Sequence, residues 1–193
     1  FTINGKQVSI VGADEFNGPI PDSITAYNPQ ISEKDLPKRV DLRPFLTPVE
    51  NQLQIGSCTA NSCVGAYEYL VKRATDRMMD YSRLFVYYNG RVKGGYADED
   101  NGSAICYCIE SMMENGVCHE TTWPYSESYV LQKPSPSAYK EAEDNKVVEA
   151  SYFETDLLKM KKCLAEGFPF IFSLKLYNSF QRTGSKGIVP LPQ

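Results

Sequence analysis

Glu50-Asn51-Gln52-Leu53-Gln54-Ile55-Gly56-Ser57-Cys58-Thr59-Ala60-Asn61-Ser62-Cys63 is the stretch on which the reading of this chain turns. Gly56-Ser57 sets a tight turn, and Cys58 follows where an amphipathic helix begins. Cys63, Ala66, Tyr67, Leu70, Val71 and Ala74 recur at helical spacing, with Lys72, Arg73 and Arg77 at the outer or C-terminal end. A thiol at a helix N-terminus sits among unpaired backbone N–H groups and the positive end of the helix dipole, which favours thiolate. Thiolate is the nucleophile, so the position suits covalent catalysis. Gln52 stands six residues earlier, and its amide could donate to an oxyanion formed when Cys58 attacks a carbonyl. The same residues also fit a buried small hydrophobe, the common fate of a cysteine without a disulfide.

The flanking segments separate these readings. Val40-Asp41-Leu42-Arg43, Pro48-Val49-Glu50-Asn51-Gln52 and Gly56-Ser57-Cys58 together resemble the start of a mature papain-family cysteine peptidase. Tyr81 to Asn89 resembles that family's second helix, and Asp100-Asn101-Gly102-Ser103 falls where the family has its substrate loop. Asn115-Gly116-Val117, Glu120 and Trp123-Pro124-Tyr125 resemble the end of the third helix and the turn after it. Gly167-Phe168-Pro169-Phe170-Ile171-Phe172 resembles the strand that opens the second lobe, so the likeness runs from about Leu36 to Gln193. It implies an α+β, papain-like two-lobe fold, with a helical left lobe and an incomplete β-rich right lobe. Residues 1–36 are expected to form an N-terminal extension or short propeptide, 37–125 the left lobe, and 126–193 the start of the right lobe.

The resemblance implies a thiol endopeptidase, made as a zymogen, acting on peptide or protein substrates. Cys58 would be its nucleophile, Gln52 its oxyanion donor, and Gly102, Ser103 and Ser173 its substrate contacts. The chain also departs from the family. A cysteine three residues before the nucleophile is usually bonded to one in the substrate loop, but here those positions are Ile55 and Asp100. Both partners are absent together, which supports the alignment. Thr59 stands where an aromatic residue is usual, and Ser103 replaces a glycine. These features resemble the bacterial-type branch more than plant papain or animal cathepsins.

Such an enzyme needs an imidazole to share the thiol proton and to protonate the leaving amine. The catalytic His and its orienting Asn are expected roughly 130–150 residues beyond the cysteine, near or past Gln193. The single histidine, His119, comes too early and reads as an exposed loop residue. The expected partner is therefore a C-terminal fragment of the same protein, present as a second chain. That fragment would also close the sheet, which otherwise leaves an edge and an apolar face around Phe168, Phe170 and Phe172. The rival reading is an inactive papain-like scaffold that binds rather than cleaves. Retention of both Cys58 and Gln52 argues against it. An amide-transferring relative of the transglutaminase kind shares the Cys-His logic but not the flanking motifs.

Composition bounds the remaining choices. Hydrophobic content of 42% and aromatic content of 12% are globular values, and no apolar run reaches membrane-span length. A formal charge of −4, with no basic stripe, gives no case for nucleic acid. The six cysteines are expected to be mostly buried thiols. Cys63 falls on the inner face of the nucleophile helix, while Cys106 and Cys108 point apart on a helix. No metal or other cofactor is expected, since zinc ligation would call for histidines at ligand spacing. A chain without disulfides leans intracellular. Nothing near Phe1 resembles a charged and then apolar signal segment.

The remaining elements follow from local signals. A short strand pair is predicted around Asn4-Gly5, with helices over about 82–91 and from Ser103 to Glu114. A helical turn is predicted from Ala138 to Glu143. Thr155 or Asp156 can cap a helix running through Leu164 and ended by Gly167. Phe168 to Leu176 alternates as a strand does.

Overall fold

A computed structural model describes residues 2–3, 6–7, 18–184 and 187–192. Among the described residues, four short strands, β1 (Thr2–Ile3), β2 (Lys6–Gln7), β3 (Ile24–Ala26) and β4 (Ala150–Tyr152), accompany five α-helices. The helices are α1 (Cys58–Thr75), α2 (Arg83–Gly94), α3 (Ile105–Glu114), α4 (Pro136–Ala142) and α5 (Leu157–Ala165). The architecture is α+β: a helical lobe with an incomplete sheet.

Helices α1, α2 and α3 pack around one apolar core that includes Ala60, Val64, Leu84, Phe85, Met112 and Val117. Both ends of α2 have local causes. Ser82 accepts from Phe85 N–H to start α2, and Gly95 ends it at φ +80°, a conformation glycine adopts without steric cost. Helices α2 and α3 meet at Gly90, where a Cβ would lie 2.9 Å from Cys108 Sγ. Cys108 is wholly buried, and its Sγ lies 3.6 Å from Thr59 Oγ1 on α1. Cys63, Cys108, Cys118 and Cys163 are buried thiols, Cys58 and Cys106 are half-buried, and no disulfide joins any of the six. Burial pushes the Cys118 thiol up to about 12, as expected of an inert core thiol.

Two buried charges tie the loops to this core. Glu68 of α1 accepts from Tyr81 N–H at 2.9 Å and from Thr47 Oγ1 at 2.7 Å, so the helix holds the segment leading to the site. Arg91 of α2 donates to the carbonyls of Glu99 (2.5 Å), Ala97 (3.2 Å) and Val130. A buried guanidinium has to find such acceptors, because leaving its donors unpaired costs more than the bonds themselves contribute.

Helix α2 runs on to Gly94 and α4 starts two residues early at Pro136, and three further departures from expectation stand out. Helix α3 begins at Ile105 rather than Ser103, with Ala104 as its N-cap in extended conformation. Phe168 to Leu176 forms no strand. Alternation supplies faces but not hydrogen bonds, and the described residues offer this segment no ladder partner. Phe168, Phe172 and Leu174 remain 43%, 61% and 61% exposed. The third difference is an unforeseen parallel pair, β3 with β4, in the register Ile24↔Ala150, Thr25↔Ser151, Ala26↔Tyr152. Strands β1 and β2 pair antiparallel as expected, although Asn4 and Gly5 themselves lie outside the described residues.

Glu166, just after α5, fastens the segment that follows β3. Its carboxylate accepts from Tyr27 Oη–H, from Gln30 N–H (2.5 Å) and from Ile31 N–H (2.8 Å). These bonds hold its carboxyl below the ordinary range, with Tyr27 the largest cause. Glu166→Ala should therefore loosen residues 24–31 while the α1–α3 core stays intact. Limited proteolysis read by mass spectrometry should show faster cutting in that segment and an unchanged core fragment.

Candidate active site

Ser57 is the N-cap of α1, yet its hydroxyl caps nothing. It is drawn sideways to Tyr125 Oη at 2.5 Å, and it accepts from Asn61 Nδ2 at 2.9 Å. Tyr125 Oη in turn donates to the Gln52 carbonyl at 3.0 Å. One proton per hydroxyl fixes the direction of this chain: Asn61 donates to Ser57, Ser57 to Tyr125, and Tyr125 to Gln52. The first turn of α1 is thus left without a side-chain cap beside Cys58, its first residue. Backbone donors there can serve an anion instead.

The Gln52 loop is fixed equally closely. Asn51 Oδ1 accepts from Leu53 N–H at 3.0 Å, which helps keep Leu53 at φ +54°, an uncommon conformation for a leucine. Gln52 Nε2 donates to the Ile55 carbonyl at 2.9 Å. That leaves one of its two amide protons for another acceptor. Gln52 and Cys58 line one cavity of about 280 Å³ together with Pro48, Glu50, Asn61, Ser62, Gly65, Glu68 and Arg83. Asn61 Oδ1 is buried with no partner among the described residues.

Arg83 closes the far side of this cavity. Its guanidinium is 5% exposed and pairs with Glu50 (2.8 Å), Asp80 (3.1 Å), Glu120 (3.4 Å) and Glu68 (3.7 Å). Glu120 also accepts from Tyr125 N–H, so the Arg83 cluster supports the tyrosine that holds the Ser57 turn before Cys58.

The other residues singled out from sequence do not line this cavity. Gly102 and Ser103 are buried, with Gly102 at φ +105° donating its N–H to Tyr87 Oη at 3.1 Å. Ser173 is exposed in the irregular segment after α5 and does not line the Cys58 cavity. His119 is not the exposed loop residue expected. It stacks on Tyr81 at 5.2 Å and 16°, and its Nδ1 pairs with Glu141. Neither partner lines the Cys58 cavity. The Ser57–Tyr125–Gln52 relay escaped sequence reasoning. Trp123-Pro124-Tyr125 was visible as a motif, but nothing local says which carbonyl the hydroxyl reaches. No group of three or more His, Cys, Asp or Glu side chains could hold a metal ion among the described residues.

The model of the papain family of cysteine proteases matches residues 36–190. The chain belongs to that family. It is 35% identical, over 172 residues, to an uncharacterized peptidase C1-like protein of Acanthamoeba polyphaga mimivirus, covering 82% of this chain and 54% of the viral protein. It is 36% identical to human cathepsin L2 over 94 residues, 47% of this chain and 28% of the cathepsin. Among solved structures, xylellain, a cysteine protease from Xylella fastidiosa, superposes with a TM-score of 0.80 at 31% identity. That match covers 97% of this chain and 76% of xylellain. The chain therefore spans about half, or less, of the curated relatives it matches.

Burial pushes the Glu120 carboxyl from 4.5 up to about 7, against the pull of Tyr125 N–H and Arg83. Between those values the folded protein keeps a proton that the unfolded chain has released. The group's contribution to stability is therefore fully present below the lower value and is lost as pH rises through the upper one. Glu120→Gln, uncharged throughout, should flatten this slope. Urea midpoints of the variant should change less between about pH 5 and about pH 8 than those of the parent.

Proposed function

We propose that this chain carries the nucleophile half of a papain-like cysteine endopeptidase. The observation behind this reading is the shared cavity, which is lined by Gln52 and by Cys58 at the start of an uncapped helix. The Cys58 thiolate attacks a substrate peptide carbonyl, forming a C–S bond while the carbonyl oxygen takes the displaced electron pair. The remaining Gln52 amide proton and the Cys58 backbone N–H hold that oxyanion. Collapse breaks the C–N bond, and the leaving amine takes a proton from an imidazolium. Water, deprotonated by the same imidazole, then hydrolyses the acyl-enzyme and restores the thiolate.

The imidazole and its orienting Asn are assigned to a segment after residue 193, because His119 is committed to Tyr81 and Glu141. Gly102 and Ser103 border the path of the substrate, next to the nucleophile turn. Ser173 is assigned a substrate role only in the complete right lobe, where its segment gains strand partners.

Cys58→Ala should abolish cleavage of a generic peptide by the natural full-length protein while leaving its thermal unfolding unchanged. Activity persisting in that variant would end the assignment. Gln52→Ala should cost on the order of 2.7–4 kcal/mol of transition-state stabilisation, read mainly as a fall in kcat.

A further inference from the structure

The nucleophile turn is fastened on its other side to the loop that precedes α3. Gly56 N–H donates to Asp100 Oδ1 at 3.0 Å, and Tyr87 Oη–H donates to the same oxygen at 2.6 Å. Gly102 N–H then donates to Tyr87 Oη at 3.1 Å. One carboxylate oxygen and one phenol thus join three segments: the turn before Cys58, helix α2, and the loop around Gly102. The junction is tight. A Cβ on Gly56 would lie 3.0 Å from Tyr87 Oη, 3.1 Å from Gly102 N and 3.2 Å from Asp100 Oδ1.

The junction is also braced from behind. Tyr87 and Arg91, one helical turn apart on α2, are both fully buried, and the guanidinium lies 4.1 Å over the phenol ring. Arg91 holds the carbonyls of Ala97 and Glu99, the residues that lead into Asp100. The loop therefore presents its carboxylate in a fixed place. A carboxylate accepting from a backbone N–H and a phenol makes stronger bonds than neutral pairs do.

We propose that Asp100 is a positioning residue that sets the nucleophile turn in register with the loop of Gly102 and Ser103; this rests on the peptidase reading above. Ile55 and Asp100 stand where the resembled family has two bonded cysteines. Here hydrogen bonds make the connection at neighbouring atoms, and reducing conditions leave them intact. The junction fixes one segment relative to another and leaves the helix terminus around the thiol as it is. Losing it should therefore weaken engagement of a peptide more than it changes the reactivity of the thiol itself.

Two reagents separate those effects on the natural full-length protein. Iodoacetamide reports the Cys58 thiol alone, whereas a peptidyl epoxide must also engage the substrate loop. Asp100→Ala should raise the half-saturating epoxide concentration about tenfold, the scale of one lost charge-assisted hydrogen bond. Its iodoacetamide rate should stay within about twofold, since the helix terminus is untouched. Asp100→Asn keeps an acceptor oxygen and should behave close to the parent. Should Asp100→Ala fail to fold, Tyr87→Phe decides instead, because it keeps the ring under Arg91 and removes only the hydroxyl. Parent-like epoxide saturation in both Asp100→Ala and Tyr87→Phe overturns the proposal, as does an equal loss with both reagents. A parent protein whose Cys58 ignores the epoxide overturns the peptidase reading, and this proposal with it.

Discussion

The bond from the Tyr125 hydroxyl to the Gln52 carbonyl, continued through Ser57, is the constraint on which the site depends. Gln52 lies in a loop with no regular structure, and Cys58 opens a rigid helix. Without a bridge, the two would move independently, and the proposed donor and nucleophile would have to hold within a fraction of an ångström to act on one carbonyl. The phenol is a suitable bridge because it reaches both partners from a third segment with few rotatable bonds. Burial raises its pKa, which keeps it protonated and able to donate. The Arg83–Glu120 pair steadies that segment through Tyr125 N–H, so charges on the far side of the cavity contribute to the placement of Cys58.

Much of this architecture is legible in the sequence because its causes are local. The helices announce themselves through apolar periodicity, and α1 starts at Cys58 as its turn residues imply. Gln52 and Cys58 share a short segment, so their spacing alone suggests a joint role. Long-range contacts are harder to see. The pairing of Ile24–Ala26 with Ala150–Tyr152 joins two stretches of three residues separated by most of the chain, too short to show alternation. Glu166 reads as an ordinary helix-terminal glutamate until its three donors from residues 27–31 are known.

Phe168 to Leu176 shows the opposite failure, in which a clear local signal is not realised. Strand alternation is a statement about faces, but a strand forms only when its backbone groups find a ladder. The described residues supply none, and the apolar side chains stay exposed. His119 fails differently. Sequence separation puts it too early to be the expected imidazole, but nothing local reveals its stacking on Tyr81 or its pairing with Glu141.

The proposed function rests on one side chain, and a single labelling experiment tests it directly. The natural full-length protein would be treated with a sub-stoichiometric peptidyl epoxide, digested, and mapped by mass spectrometry across all six cysteines. A papain-like nucleophile predicts label on Cys58, with Cys63, Cys106, Cys108, Cys118 and Cys163 unmodified. Label spread over several cysteines, or absent from Cys58, would contradict the account.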